Sequence, residues 1–379
     1  MQSIKKIKDT KGKVILLRAG FDVPIKDGKV VDTKRIVTIL PTIEYLMKKG
    51  PLVIMSHQGR PKGKVDMAFT QKPLVPVLEK LLKKKIKFAT SCIGEETEKI
   101  ARSLKKGEVL LLENLRFEPG EEANDKNFAK QLVKLGDIYV DDAFPDAHRE
   151  HASVVGVPKY LPSYIGLQFE KEIKFLSMVF KETKHPFLFI LGGVKFETKL
   201  PIIKKYLKTA DNIYIGGGIL NSFLKEKGFE VGVSTVEDKD YGIKKFMKNK
   251  KLVIPENLLV KTSSGSFIKK SAGEVSKDDT IVDVIDKSLI ELYVLIQKAK
   301  MILWNGPLGK YEDGGAKASM EVLKMIANSK AKSIIGGGDT ASLISKMKME
   351  DKFTFVSTGG GASLEYLAKG TLPGIKALK

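Results

Sequence analysis

Four times in its second half the chain runs from a short apolar stretch into a glycine-rich turn and on into an amphipathic segment. These are LGGVKFETK (191–199), YIGGGILNSF (214–223), IIGGGDTASLI (334–344) and STGGGASLEYL (357–367). Strands separated by helices pair in parallel, so this grammar confines the chain to an α/β architecture. Ligands of such sheets sit outside the carboxyl ends of the strands. Glycine lets backbone N–H groups turn toward an oxyanion, and the helix that follows presents free N–H donors. One such turn is only a tight connection. Four in one domain point to a nucleotide-phosphate site.

The first half follows the same alternation. VILLRAGF, PLVIMSH, EVLLLENL and DIYVDDAF read as buried strands, with helical stretches such as RIVTILPTIEYLMKKG and DKNFAKQLVKLG between them. FLFILGG, NIYIGGG, MILWNGP, KSIIGGG and FTFVSTGGG continue the style. A polar-apolar segment at 169–186, FEKEIKFLSMVFKETKHP, has helical spacing and a terminal proline, and reads as a connecting helix. The domains expected are a first lobe at 1–168, the connecting helix at 169–186 and a second lobe at 187–364. A length of 379 residues accommodates two cores. No apolar run reaches membrane-spanning length and no secretory signal is evident, so the expected location is cytoplasmic. The single cysteine, Cys92, excludes an internal disulfide and suits a reducing compartment.

Net charge is +21. The lysines are spread along the whole chain, without an aromatic-interleaved basic tract or zinc spacing, which favours a solvated lysine-rich surface over a nucleic-acid face. The arginines are more selective. Arg18, Arg35, Arg60, Arg102, Arg116 and Arg149 all precede residue 150, and none follows. A planar guanidinium grips carboxylate or phosphate at two points, so the first half is suited to a multivalent anion. Arg102 lies in a plain amphipathic helix and reads as surface.

On the glycine-rich side, neither GxxxxGK[ST] nor GxGxxG is present, so phosphate charge must meet separate cations. Lys195 and Lys199, four apart, are expected on one face of a helix starting near Gly193. Asp339 follows a GGG turn, where it either caps a helix or meets a nucleotide-bound Mg²⁺. On the other side, His57 lies in SHQGRP, and His148 and His151 lie in DDAFPDAHREHAS. HREH lacks the HExxH arrangement and further ligands. An anion basket built with Arg60, Arg116 and Arg149 accounts for these residues better than a metal. An arginine–histidine lobe for a small anion and a glycine–lysine lobe for a nucleotide together imply phosphoryl transfer.

These motifs, in this order from RAGFDVP to TLPGIKAL, resemble phosphoglycerate kinase. SHQGRPKG, LLENLRF, DDAFPDAHREHAS, LGGVKFETK, YIGGGILNSFL, WNGPLGKYE, IIGGGDTA and STGGGASLE all contribute. The resemblance implies two Rossmann-like lobes joined by the connecting helix and a hinge, with residues 365–379 packing back on the first. It implies reversible transfer between 1,3-bisphosphoglycerate and MgADP, giving 3-phosphoglycerate and MgATP, in line and after closure. Asp22, Arg35, His57, Arg60, Arg116 and Arg149 are then the triose-phosphate side. Arg35 and Lys195 face the moving group, with Gly360 and Gly361 cradling it at a helix N-terminus. Gly193, Lys195, Lys199, Gly217, Asn305, Glu312, Gly338, Asp339 and Thr340 are the nucleotide side, with Glu312 on the ribose and Asp339 on Mg²⁺. A monomer without membrane or nucleic-acid partners is expected. The alternative is a catalytically weak family member that binds anions or nucleic acid.

Two segments depart from the family pattern. RAGFDVP stands where RVDFNVP is usual, so Gly20 replaces an aspartate and Asp22 an asparagine. In an extended segment these two side chains are expected to face the same way. Asp22 then either accepts the substrate hydroxyl, a bond worth about 1.5–3 kcal/mol, or opposes the substrate carboxylate. Like charges about 4 Å apart cost up to ~4 kcal/mol. In the second segment, Asp141 replaces an asparagine, and Pro145 and Asp146 replace Gly-Thr. A proline there is expected to redirect the loop carrying Arg149.

Overall fold

The computed structural model describes residues 1–8, 10–237 and 239–379. They form two compact units, 1–174 with 371–379, and 175–370.

Unit 1 is built on strands β1 (Ile15–Ala19), β2 (Leu52–Met55), β3 (Ile86–Phe88), β4 (Val109–Leu111), β5 (Ile138–Asp142) and β6 (Ser163–Ile165). Their order is β3-β4-β2-β1-β5-β6, and every pairing is parallel. Strands β1, β2, β4 and β5 are buried at every residue, which explains their continuous apolar runs. From β1 the chain goes first to β2 and later returns to β5 on the opposite flank. The carboxyl ends of β1 and β5 therefore border a topological switch point. Helix α1 (Lys34–Met47) buries Ile36, Ile39, Ile43 and Leu46 at helical spacing. Pro41 lies inside it on the outward face. An internal proline costs a helix roughly 3 kcal/mol, and the buried apolar stripe outweighs that here.

Helix α2 is Leu167–Lys181. Its first turn is fixed in unit 1, where the Phe169 N–H donates to Asp142 Oδ1 at 2.7 Å and the Leu167 N–H to Thr42 Oγ1 at 2.9 Å. Residues 371–379 also belong to unit 1. Helix α7 (Pro373–Ala377) buries Ile375, and the Gly374 N–H donates to the Ala147 carbonyl at 2.8 Å.

Unit 2 contains β7 (Phe187–Leu191), β8 (Asn212–Ile215), β9 (Leu252–Val253), β13 (Met301–Asn305), β14 (Lys332–Gly336) and β15 (Phe355–Val356) in one parallel sheet, ordered β9-β8-β7-β13-β14-β15. The switch point falls between β7 and β13. An antiparallel sheet, β11-β10-β12, is formed by β10 (Asn257–Lys261), β11 (Phe267–Ser271) and β12 (Thr280–Val284). The strand–helix alternation gave no sign of it. Trp304, Tyr206, Tyr214, Phe187, Phe189 and Phe223 fill the core. No helix among the described residues is long and apolar enough to cross a membrane.

The turns after β7 and β13 interlock. The Gly192 N–H donates to the Asn305 carbonyl at 2.9 Å, and the Gly193 N–H to the Pro307 carbonyl at 3.0 Å. A Cβ at Gly192 would lie 2.0 Å from the Pro307 oxygen. This glycine is thus required by the approach of two backbones. Gly338, by contrast, has nothing within 4 Å of a Cβ position. Gly192→Ala is expected to lose about 1–3 kcal/mol, the range for overpacking. Gly338→Ala is expected to stay within roughly 0.5 kcal/mol of the parent. Denaturant unfolding followed by emission of Trp304, the only tryptophan, separates the two.

Candidate active site

The unit 1 site is organised around a guanidinium with no solvent exposure. Arg18, on β1, donates through Nε to Ser153 Oγ at 3.0 Å and through Nη2 to Asp146 Oδ2 at 3.2 Å. Nη2 also lies 2.9 Å from His57 Nδ1, and Nη1 donates to the Ala19 carbonyl. Burial works to lower the Arg18 pKa, and Asp146, Glu121 and Asp141 together leave it raised. His57 directly follows β2 and is 2% exposed.

Asp22 is gathered from the other side. Its Oδ1 accepts the Gly59 N–H at 3.0 Å, and Oδ2 lies 3.5 Å from His57 Nε2 and 3.8 Å from Arg35 Nη1. Arg35 also donates to the Asp22 carbonyl at 2.7 Å. Burial works to raise the Asp22 carboxyl, but His57, the Gly59 N–H and Arg35 hold it well below the usual carboxylate range. Arg116 donates from Nη1 to the Gly59 carbonyl at 2.6 Å, while its buried Nη2 has no hydrogen-bond partner. Arg149 Nη1 lies 3.8 Å from Asp146 Oδ1. Asp22, Arg35, His57, Arg116 and Arg149 therefore share one network, and Arg60 is exposed next to Gly59. Two donors buried inside it, His57 Nε2 and Arg116 Nη2, lack hydrogen-bond acceptors. Buried donors are normally satisfied, so these are positions where a ligand acceptor fits.

The expectation that residues 20 and 22 face the same way fails, because strand geometry ends at Ala19. A Cβ at Gly20 would lie 3.6 Å from Ala143 Cα and 3.8 Å from Pro145 Cδ, whereas the Asp22 carboxylate reaches Gly59 and His57. The residue following Gly20's neighbour Pro145 is Asp146, 5% exposed and paired with Arg18. Sequence reasoning counted Asp146 only as a change of loop, and Arg18 only as one arginine among six. Pro145 does not break the loop. It enters the 3₁₀ turn Phe144–Asp146 at its start, where a fixed φ and a missing N–H cost nothing.

Asp141 and Asp142 are fully buried, and burial pushes both carboxyls up to about 7. Asp141 Oδ1 accepts the Ala143 N–H at 2.9 Å, and its Oδ2 has no hydrogen-bond partner. His151 lies 3.8 Å from Glu121 Oε1, and burial, reinforced by Arg116 and Arg18, brings it down to about 4. No group of three or more metal-ligating side chains occurs among the described residues, HREH included.

In unit 2 a cavity of about 500 Å³ is bordered by the starts of four helices. Helix α3 (Phe196–Thr209) is preceded by Lys195, and α4 begins at Gly217 (Gly217–Glu226). Helices α5 (Gly338–Lys346) and α6 (Gly361–Lys369) begin at the other two glycine turns. Gly193, Lys195, Lys199, Gly217, Asn305 and Glu312 line this cavity, as do Gly338, Asp339, Gly360 and Gly361. Thr340 does not line it. Thr340 is fully buried, and its Oγ1 lacks a hydrogen-bond partner. The two lysines do not share a helical face. Lys195 is extended and exposed ahead of α3, while Lys199 is buried in its first turns and bonds to Asn305 Oδ1. Burial lowers Lys199 to about 8, against a raising influence from Asp339. Asp283 also lines the cavity, at the end of β12. It accepts the Ala318 and Val284 N–H groups at 3.0 Å each, and burial raises it to about 7. That residue lay in the antiparallel sheet the alternation did not reveal.

A family model described as "Phosphoglycerate kinase" matches residues 4–370. The phosphoglycerate kinase of Borrelia garinii subsp. bavariensis is 42% identical over 393 residues, covering 100% of both chains. That of Dictyoglomus turgidum is 43% identical over 387 residues, covering 98% of this chain and 96% of its own. Among solved structures, phosphoglycerate kinase from Coxiella burnetii superposes with a TM-score of 0.84 at 32% identity, covering 99% of this chain and 98% of its own. The Pyrococcus horikoshii enzyme gives 0.87 at 31% identity, covering 100% and 98%.

The raised Asp141 carboxyl sets a stability test. Between the unfolded value near 3.8 and the folded value of about 7, the native state binds the extra proton, so the residue's contribution to stability falls as pH rises through that window. Asp141→Asn keeps the acceptor for Ala143 without the charge. It is expected to match the parent near pH 4, to exceed it increasingly up to pH 7, and to hold the gain above that in denaturant titrations.

Proposed function

The chain belongs to the phosphoglycerate kinase family, and we propose that it performs phosphoryl transfer with the side chains and helix ends placed above. The reaction moves a phosphoryl group from the acyl phosphate of 1,3-bisphosphoglycerate to a β-phosphate oxygen of ADP. The P–O bond to the carboxyl group breaks as the new bond forms, leaving 3-phosphoglycerate and ATP. The carboxylate is a competent leaving group, so no protein nucleophile is needed. What the protein must supply is alignment and charge stabilisation.

The convergence of four helix N-termini on one cavity carries this reading. Each presents backbone N–H groups and a partial positive charge, and a nucleotide's phosphate chain needs several such donors together. Lys199 adds a cation and Gly360 and Gly361 add donors at the start of α6, while Lys195, exposed ahead of α3, would meet the moving group. Glu312, in the turn Tyr311–Asp313 at the cavity wall, would meet a ribose hydroxyl. Asp339 offers one carboxylate beside space for phosphate oxygens, the donor set Mg²⁺ takes when it accompanies a nucleotide, and would hold the ion. The bound ion neutralises phosphate charge.

In unit 1, His57, Arg116 and Arg149 hold the triose phosphate, with Arg60 at the exposed margin. The His57 and Arg116 donors without acceptors are the contacts a carboxylate or phosphate completes. Arg35, 40% exposed, is the cation that would stabilise charge on the transferring group. Asp22 Oδ1 accepts the Gly59 N–H, and its Oδ2 lies within 4 Å of His57 Nε2 and Arg35 Nη1, which would lower the cost of a substrate charge nearby.

Purified protein is expected to form ATP from 1,3-bisphosphoglycerate and ADP in a coupled assay. Arg35→Ala is expected to lose about 10²–10³ in kcat, the range for removing one charge-stabilising donor. Absence of turnover by folded protein overturns the reading. A second outcome concerns Lys199. Its proton is needed to attract phosphate, so ADP affinity measured by calorimetry is expected to fall as pH rises through about 8. Lys199→Arg, with a guanidinium that stays charged, should flatten that fall.

A further inference from the structure

A basket built to attract an anion contains an anion in its own floor. Asp146 is 5% exposed, with Oδ2 at 3.2 Å from Arg18 Nη2 and 3.6 Å from His57 Nδ1. Burial works to raise this carboxyl, and the guanidinium charges of Arg18 and Arg116 work against it and help leave it lowered. A carboxylate charge here subtracts from the attraction the arginines exert on substrate, and burying it is costly. What it does for the site follows from the hydrogen bonds of its neighbours.

A guanidinium only donates. Since Arg18 Nη2 lies 2.9 Å from His57 Nδ1, Nδ1 must accept, and the ring proton resides on Nε2. Nε2 is buried and has no hydrogen-bond acceptor. The nearest carboxylate oxygen is Asp22 Oδ2 at 3.5 Å. Asp146 accepts from the same Nη2 that meets the ring, and so helps to hold that donor against Nδ1. Gly20 is part of the same arrangement. A Cβ there has ordinary contacts with Ala143 and with Pro145, the residue before Asp146. A longer acidic side chain at 20 would therefore bring a second negative charge to the floor that Asp146 already occupies.

We propose that Asp146 is a positioning residue for the triose substrate, acting through Arg18 to present His57 Nε2–H to the ligand, with Gly20 leaving the floor free of a second carboxylate. The proposal rests on the phosphoglycerate kinase reading for its ligand, but not for its hydrogen-bond geometry. Asp146 does not touch the reacting atoms. Its effect belongs in substrate affinity rather than in the transfer step.

The experiment has two arms. In steady-state kinetics, Asp146→Thr and Asp146→Asn are expected to raise KM for 3-phosphoglycerate at least about tenfold, the order of one lost hydrogen bond to a charged group. KM for ATP should stay unchanged and kcat within about threefold, in keeping with a loss of binding alone. Gly20→Asp alone should also raise that KM, while Gly20→Asp added to Asp146→Thr should bring it back toward the parent, because one carboxylate is then returned to the floor. Unchanged KM in both Asp146 variants, or additive losses in the double variant, overturns the proposal. The second arm is a long-range ¹H–¹⁵N spectrum of the ligand-free parent, which has four histidines, assigned with His57→Gln. His57 is expected as the Nε2–H tautomer, shifting toward Nδ1–H or a mixture in Asp146→Thr. An Nδ1–H tautomer in the parent refutes the proposal even if the protein proves inactive, so the two failures remain distinguishable.

Discussion

A guanidinium sealed from water must find acceptors in the protein, and Arg18 dictates where the polar groups of unit 1 go. One side of it is tied to Ser153, which in turn donates to Glu121 at 2.6 Å. Its Nη2 is shared between Asp146 and the imidazole of His57. These groups come from different stretches of chain, brought together because parallel strands direct all their carboxyl ends to one edge. The charge also sets the titration of its surroundings. His151 is pressed down to about 4 partly by Arg18, while Asp141, despite it, is carried up to about 7 by burial.

Unit 2 meets the same architectural demand with little buried charge. Its donors are mainly backbone N–H groups at helix starts, and desolvation brings the pKa of its buried cation, Lys199, down to about 8. The division of labour is physical. Rigid guanidinium forks suit a small substrate with two compact anionic ends, whereas a phosphate chain can be met along its length by several helix dipoles. The absence of arginine beyond Arg149 is consistent with that difference.

Much of this was legible in the residues. Continuous apolar runs located the parallel strands because both their faces are covered, and the four GGX junctions mark the four helix ends around the cavity. The cationic residues of the basket stood at strand ends where α/β geometry gathers them. Other features depended on departures from regular geometry. Gly20 and Asp22 were read with strand periodicity, but the strand stops at Ala19 and the two positions point to different neighbours. Lys195 and Lys199 were read with helical periodicity, but the helix begins one residue after Lys195. Asp146 carried no linear signal at all, since its partner Arg18 is 128 positions away. Among the glycines of these turns, Gly192 is required by the approach of another backbone.

Residues 371–379 lie against the loop that carries Asp146 and Arg149, through the Gly374 contact to Ala147 and the buried Ile375. In order of synthesis, that segment leaves the ribosome only after the whole of unit 2. Unit 1 therefore cannot be completed in the order it is translated. Its anion site receives this packing partner only after residue 370, the last of unit 2, has been made.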